Sequence, residues 1–115
     1  MQTEVEMTPQ EILEIEVTIN DLEEAVTKKN NFIMLEQNEM FQKVILDGYM
    51  KDNAVRLVTL KGASQMSSKK SQRHLDDQIK AVGLLGEHFR AILAMGTTAE
   101  KRLEEYTEEL ANNRG

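Results

Sequence analysis

The sequence contains no cysteine, no tryptophan and a single proline. Without cysteine the chain has no disulfide, no Cys-ligated zinc, no iron–sulfur cluster and no thiol nucleophile. Aromatic residues make up only 4% of the chain, which argues against a large platform for stacking bases or sugars. Uninterrupted apolar runs are short, so we expect no membrane span. The acidic N-terminal residues include no apolar core segment, so we expect no signal peptide.

Helix-forming residues dominate what is present. The chain of 115 residues is 40% hydrophobic and 30% charged, and Leu, Glu, Lys, Ala and Met are frequent, as in helical proteins. This length suits one domain. We therefore predict a flexible N-terminus over residues 1–7 and a single helical domain over residues 8–115.

Charge is unevenly distributed along the chain. Residues 1–24 hold eight acids and no Lys or Arg (−8), residues 25–80 hold ten bases and six acids (+4), and residues 81–115 hold four bases and six acids (−2), which together give −6. Such asymmetry can decide how two segments or two subunits pair. It can also mark no more than a solvated acidic helix face.

The first helix has a clear start. Thr8-Pro9-Gln10-Glu11 forms a capping box, with Pro9 at the first helical position, where its missing N–H costs nothing. The apolar positions that follow are spaced by threes and fours and define one side of the helix: Ile12, Ile15, Ile19, Leu22 and Val26. The pattern weakens at residues 28–31, which allows a kink, a short loop or a polar turn; we favour a helix that continues or restarts at once.

The last part of the chain reads as one long amphipathic helix between Leu75 and Leu110. Its apolar and small positions have coiled-coil spacing: Val82, Gly86, Phe89, Ile92, Gly96, Ala99, Leu103, Tyr106 and Leu110. Gly83, Gly86 and Gly96 predict close approach of another backbone, with local flexibility as the alternative. We predict that this set and the set from Ile12 to Val26 mediate packing and self-association.

The middle of the chain allows two interpretations. Asp47-Gly48 is a hairpin signal when alternating apolar residues flank it, but the preceding apolar run is continuous. The β-branched residues near Val55 suit a strand or a helix. We favour a helix, capped by Asp52 or Asn53, that carries Val55, Val58 and Thr59, with Leu57 and Leu60 beside them, and ends at Gly62; Ser67 or Ser68 then caps the last helix.

The predicted fold is all-α. Two long arms, residues 8–46 and 68–111, form an antiparallel helical hairpin with coiled-coil-like packing, and the middle segment, residues 47–67, holds a short helix. Methionine can build an adaptable peptide-binding surface. We instead predict helical core positions for the seven methionines, which are Met34, Met40, Met50, Met66, Met95 and the two near the start, Met1 and Met7.

No catalytic signature is present in the sequence. His74 and His88 are fourteen residues apart, which is about 21 Å along one helix, so they cannot share a metal there. No nucleophile motif or phosphate-cradling glycine loop occurs. We expect no enzymatic activity, no metal, no cofactor and no small-molecule substrate.

A basic cluster follows the middle segment and consists of Lys61, Lys69, Lys70 and Arg73. It is a candidate contact for phosphate or for an acidic partner. No aromatic residues are interleaved with it, and the chain as a whole is acidic, so nucleic acid is not the expected partner. Residues 1–24 are a candidate acidic partner, in the same chain or in a neighbouring copy; a solvated loop is the simpler alternative.

The run Ile45-Leu46-Asp47-Gly48-Tyr49-Met50-Lys51-Asp52-Asn53-Ala54-Val55-Arg56-Leu57-Val58 resembles a recurrent pattern in short helical proteins of tailed bacteriophages, encoded near structural genes. Phe89-Arg90-Ala91-Ile92-Leu93-Ala94-Met95-Gly96 continues the resemblance, which covers about residues 41–110. It implies a virion or assembly role and a location in the virion or the bacterial host cytoplasm, and it transfers no catalytic residue. The layout is also similar to that of prefoldin-like chaperones, whose two long helices are joined by a β-containing middle.

These observations lead to a first hypothesis and two alternatives. The first is a non-enzymatic bacteriophage structural or assembly protein that acts through helix–helix self-association, as a homo-oligomer or with other virion proteins. The second is an adaptor or inhibitor that binds a host or phage enzyme through the acidic N-terminal helix. The third is a prefoldin-like chaperone or a nucleic-acid-binding protein.

Overall fold

A computed structural model of the chain describes residues 7–114 and shows an all-α protein with no strand in that range. The predicted fold class, a helical hairpin in which a first long helix packs against a last one, is confirmed. The elements, in order, are α1 (Pro9–Glu36), α2 (Glu39–Phe41), a π-helix (Gln42–Asp52), α3 (Asn53–Lys61), a 3₁₀ turn (Ser64–Met66) and α4 (Lys69–Arg114). Apart from Met7, the predicted flexible N-terminus lies outside the described residues.

The chain divides into two compact units. The terminal unit comprises residues 1–31 and 92–115, of which 7–31 and 92–114 are described, and the central unit comprises Phe32–Ala91. In the terminal unit α1 packs antiparallel to α4. The expectation of one domain over residues 8–115 stays a prediction, because two compact units can belong to one domain.

The capping box at the start of α1 is present. The backbone N–H of Glu11 donates to Thr8 Oγ1 over 3.1 Å, and the N–H of Thr8 donates to Glu11 Oε1 over 3.3 Å. Two N–H groups of the helix start are thereby satisfied reciprocally. The helix then runs without interruption through residues 28–31, because the two asparagines there cost too little helix propensity to end it.

The first arm ends at Glu36, ten residues earlier than predicted. At the break, the N–H groups of Gln37 and Asn38 donate to the carbonyls three residues back. Asn38 is extended (φ −77°, ψ 125°), and its side chain accepts from the Phe41 N–H over 2.9 Å. Asn38 thus caps a new helix, so the boundary predicted near residue 46 is wrong.

The middle of the chain is helical throughout, and Asp47-Gly48 forms no hairpin. Both residues lie in the π-helix, which continues directly into α3. A Cβ at Gly48 would lie 2.8 Å from the Lys43 carbonyl oxygen, five residues earlier. Glycine therefore permits this wide turn. Since Asp52 has helical backbone angles and no capping hydrogen bond, the predicted cap at Asp52 or Asn53 is also wrong.

The core of the central unit forms around Leu57, Leu75 and Val82, which are 0%, 2% and 8% exposed. Partly buried side chains pack around them: Tyr49, Met50, Ala54, Leu60, Met66 and Ile79. On α3 the core side carries Ala54, Leu57 and Leu60, whereas Val55 and Val58 are exposed.

The end of α3 and the start of α4 agree with the prediction from the sequence. Gly62 follows the last residue of α3, and Ser68 caps α4 by accepting from the Ser71 N–H over 3.1 Å. α4 extends to Arg114, three residues beyond the predicted end.

Candidate self-association surfaces

The two apolar sets predicted from the sequence lie on covered sides of their helices. Ile12, Ile15, Ile19, Leu22 and Val26 are half-buried in α1. In α4 the buried members are Val82, Gly86, Gly96 and Ala99, and the half-buried members are Phe89, Ile92, Leu103, Tyr106 and Leu110. These positions are largely used within the chain, so contacts with a second molecule must come mainly from other side chains.

All three phenylalanines meet in the central unit. The ring of Phe32, which is 6% exposed, lies 4.8 Å from the Phe89 ring and 6.2 Å from the Phe41 ring between centroids, and Phe41 and Phe89 are 5.9 Å apart. Distances in this range favour aromatic pairs. The cluster joins the end of α1 to the next helix and to α4. The apolar pattern predicted from the sequence included Phe89 but not Phe32, which lies outside the 3-4 spacing.

A polar pair occupies the apolar side of the terminal unit. Lys29 continues the spacing of Ile15 and Leu22, and its side chain is only 16% exposed. Its methylene groups fill the space above Gly96, and Nζ forms an ion pair with Glu100 Oε1 over 2.6 Å. This arrangement keeps the charge paired while the stem packs against the helix. Sequence reasoning missed it, because Lys29 stands in a polar run.

The three α4 glycines differ in their surroundings. A Cβ on Gly96 would overlap Lys29 Cβ and lie 2.7 Å from Lys29 Cδ, and a Cβ on Gly86 would lie 3.0 Å from Met50 Cε. No neighbour comes within 4 Å of a Cβ on Gly83. The predicted close approach therefore occurs at two glycines, but side chains rather than a second backbone fill the space. Gly83 fits the alternative of a helix position without a contact.

Large apolar side chains remain exposed on every long helical segment. The terminal unit exposes Leu13 (60%), Val17 (54%) and Met95 (64%), and the central unit exposes Met34 (72%), Leu35 (44%), Met40 (77%), Val44 (65%), Val55 (62%), Val58 (61%) and Leu84 (53%). Met34, Met40 and Met95 were predicted in the core, and the structure places only Met50 and Met66 against it. The exposed set forms the candidate self-association surfaces.

The basic cluster lies where α3 meets α4. Gln72 accepts from Lys61 Nζ over 2.9 Å and donates to the Lys61 and Met66 carbonyls over 3.0 and 2.8 Å. Lys61 also pairs with Asp76 over 2.6 Å. These bonds bring Lys61 to the first turns of α4. There Lys69, Lys70 and Arg73 are exposed, and none of them pairs with another described residue.

The acidic part of α1 is also open to solvent. Asp21, Glu23 and Glu24 are exposed, and none has a hydrogen bond or ion pair with another described residue. Leu13 and Val17 lie one turn apart on α1. Glu24 is seven residues after Val17, which is two turns further on the same side of the helix. This stretch therefore presents apolar and negatively charged side chains together.

The described residues contain no group of three or more His, Asp or Glu side chains placed to hold a metal ion. The Nε2 atom of His74 lies 2.6 Å from the Nε2 atom of Gln78.

The terminal unit has an open apolar groove lined by Leu22, Ala25, Met95 and Ala99, with Asp21 and Arg102 at its edge. None of the described helices is both long and apolar enough to cross a bilayer.

No protein-family model, curated protein or solved structure matches this chain.

Proposed function

We propose that this protein is a non-enzymatic helical assembly protein that acts by associating with copies of itself. The observation that supports this function most strongly is the set of ten large apolar side chains that are 44–77% exposed. Single exposed apolar residues are normal, but extensive apolar exposure on a small protein is typical of interaction surfaces. Other apolar positions on the same helices are buried or half-buried within the chain, so the exposed set is the one that a second molecule would contact.

The biological setting of the proposal is the particle, or the assembly pathway, of a tailed bacteriophage. This part rests on the resemblance of residues 41–110 to short helical phage proteins. The protein would then act in the virion or in the host cytoplasm during assembly. Detection of the protein in purified particles or assembly intermediates is the test, and its absence from both would contradict the phage role.

Self-association is tested by light scattering after gel filtration over a range of protein concentrations. We expect a mass above that of the 13.1 kDa chain. Met40→Ser/Val44→Ser removes two side chains one turn apart, exposed by 77% and 65%, and should shift the mass toward the monomer.

Lys43→Ser/Asp47→Ser is the matched control, because it changes two exposed polar residues at the same spacing in the same helical stretch. It should leave the mass unchanged. A wild-type monomer at every concentration would overturn the proposal.

A second candidate function is that of an adaptor that presents the acidic face of α1 to a basic partner. The exposed and unpaired Asp21, Glu23 and Glu24 favour it. This function predicts a monomer or dimer whose binding to a basic protein is lost at high salt, because exposed charges are screened.

Retention of the protein on nucleic acid, abolished by Lys69→Glu/Lys70→Glu, would instead identify the basic cluster as a phosphate-binding surface. The prefoldin-like layout has lost its main support, since the middle of the described chain is helical rather than β.

A further inference from the structure

The exposed charges of this chain are segregated into two segments of opposite sign. Between residues 7 and 27 there are six acids and no Lys or Arg, and between residues 53 and 75 there are five bases and no acid. Extending the second range to residue 77 adds Asp76 and Asp77 and leaves +3 (five bases, two acids). Asp76 is already paired with Lys61. Each segment therefore keeps a strong local charge.

Each segment contains charged side chains that form no ion pair within the described part of the chain. In the second segment Lys61 is paired with Asp76. Asp21, Glu23 and Glu24 in the first segment form no pair, and the same holds for Lys69 and Lys70 in the second.

Each segment also carries two exposed apolar side chains one helical turn apart. These are Leu13 and Val17 in the acidic segment, and Val55 and Val58 in the basic segment. Val58 is three residues before Lys61, so apolar and basic side chains occur together on the outside of α3. Interfaces commonly combine a small apolar centre with a charged rim, and both segments have that composition.

We propose that the acidic segment of α1 in one copy docks on the basic segment at the α3–α4 junction of a second copy. Opposite potentials draw two surfaces together and suppress wrong pairings, and the four exposed aliphatic side chains supply apolar area at the contact. The inference rests on the proposed self-association and names the two segments through which the copies would bind each other.

Such a contact joins two different patches. When two copies form both contacts with each other, the result is a two-fold dimer; when each copy contacts two others, assembly continues until a ring closes or a filament grows.

The test is a charge exchange between two variants, followed by light scattering or sedimentation. Lys69→Glu/Lys70→Glu reverses two charges of the basic segment and lowers its sum over residues 53–75 from +5 to +1, and Glu23→Lys/Glu24→Lys reverses two charges of the acidic segment and brings its sum over residues 7–27 from −6 to −2. All four side chains are exposed, so both variants should fold. Each alone should self-associate at least about tenfold more weakly, because the attraction between the two segments falls and like charges meet at the substituted positions. A 1:1 mixture should recover assembly, since a contact between the two variants again pairs opposite charges at those positions.

Two controls test whether weaker association comes from this contact or from the change in the net charge of the protein. Lys80→Glu/Lys101→Glu makes the same change of net charge as the first variant, from −6 to −10 (two substitutions of −2 each), at exposed positions outside both segments. It should associate like the wild type. Val55→Thr/Val58→Thr preserves side-chain shape and every charge, and it should weaken association because apolar area is lost.

The outcomes distinguish the inference from the function on which it rests. Loss of association in both reversed variants with recovery in the mixture supports the docking contact. Unchanged association in either variant, or no recovery in the mixture, overturns the contact while self-association itself stands. A wild-type monomer at all concentrations overturns both.

Discussion

At the scale of single residues, Gly96 and Gly83 make a matched pair on one helix. A Cβ at position 96 would collide with the Lys29 stem, whereas a Cβ at position 83 would meet nothing within 4 Å. We expect Gly96→Ala to lower the free energy of unfolding by about 1 kcal/mol, since overpacking costs roughly 2 kcal/mol and alanine recovers about 1 kcal/mol of helix propensity. Urea unfolding monitored by circular dichroism measures the change.

Gly83→Ala is the control for that measurement. Without a steric conflict it should raise the free energy of unfolding by about 1 kcal/mol, the helix-propensity gain alone. Equal effects of the two substitutions would contradict the close contact between Lys29 and Gly96.

Phe32 is a second residue whose importance is measurable. It is 6% exposed and contacts both other phenylalanines. Phe32→Ala should destabilise the protein by about 3 kcal/mol, because it removes a large buried ring and leaves a cavity. Leu13→Ala, at a position that is 60% exposed, should change the unfolding free energy by less than about 0.5 kcal/mol. Similar losses for both variants would refute the aromatic cluster as a centre of stability.

At the scale of elements, asparagines have opposite roles at different positions. Asn38 caps the helix that starts at Glu39, whereas Asn30 is exposed inside α1. Asn38→Ala should cost about 1 kcal/mol through loss of the cap. Asn30→Ala should stabilise by a few tenths of a kcal/mol, because alanine has the higher helix propensity. If both substitutions stabilise the protein, Asn38 does not act as a cap in solution.

Local signals explain which element boundaries could be predicted. Thr8, Gly62 and Ser68 act through side-chain or backbone preferences that a sequence displays, and all three mark real helix ends. The break at Asn38 has the same chemistry but no change in apolar spacing beside it, so it was overlooked. The π-helix has no comparable signal, because it depends on the Lys43 carbonyl approaching Gly48.

The candidate surfaces were only partly predictable for a related reason. Apolar spacing identified the covered sides of α1 and α4, where one helix alone defines the pattern. It placed Met34, Met40 and Met95 in the core although they are exposed, because an apolar side chain alone does not show which side of its helix meets a neighbour. It did not choose between the valine and the leucine side of α3, because that choice depends on how Leu57 meets Leu75 and Val82 on another helix. Lys29 was missed because it stands in a polar run and its partners, Gly96 and Glu100, are distant in sequence.

At the scale of the whole molecule, burial is unequal between the two units. Of the buried apolar side chains in the described range, Phe32, Leu57, Leu75 and Val82 belong to the central unit, and Ala99 belongs to the terminal unit. We expect amides around Leu57 and from Leu75 to Val82 to exchange with deuterium most slowly, because local opening is easiest where few apolar contacts are lost. Hydrogen exchange measured by mass spectrometry tests this, and slower exchange in residues 9–22 than around Leu57 would contradict it.

The Lys29–Glu100 pair has a consequence for the alignment of the two arms. The apolar sides of α1 and α4 repeat every seven residues, so their spacing alone would accept a hairpin shifted by one heptad. Such a shift would place Lys29 over Phe89 or Leu103 in place of Gly96, and over Leu93 or Thr107 in place of Glu100. Either shift leaves the ammonium without a carboxylate and the stem without space, and single polar residues at such positions are known to fix register. One lysine, one glycine and one glutamate thus select a single register from several that the repeating pattern permits.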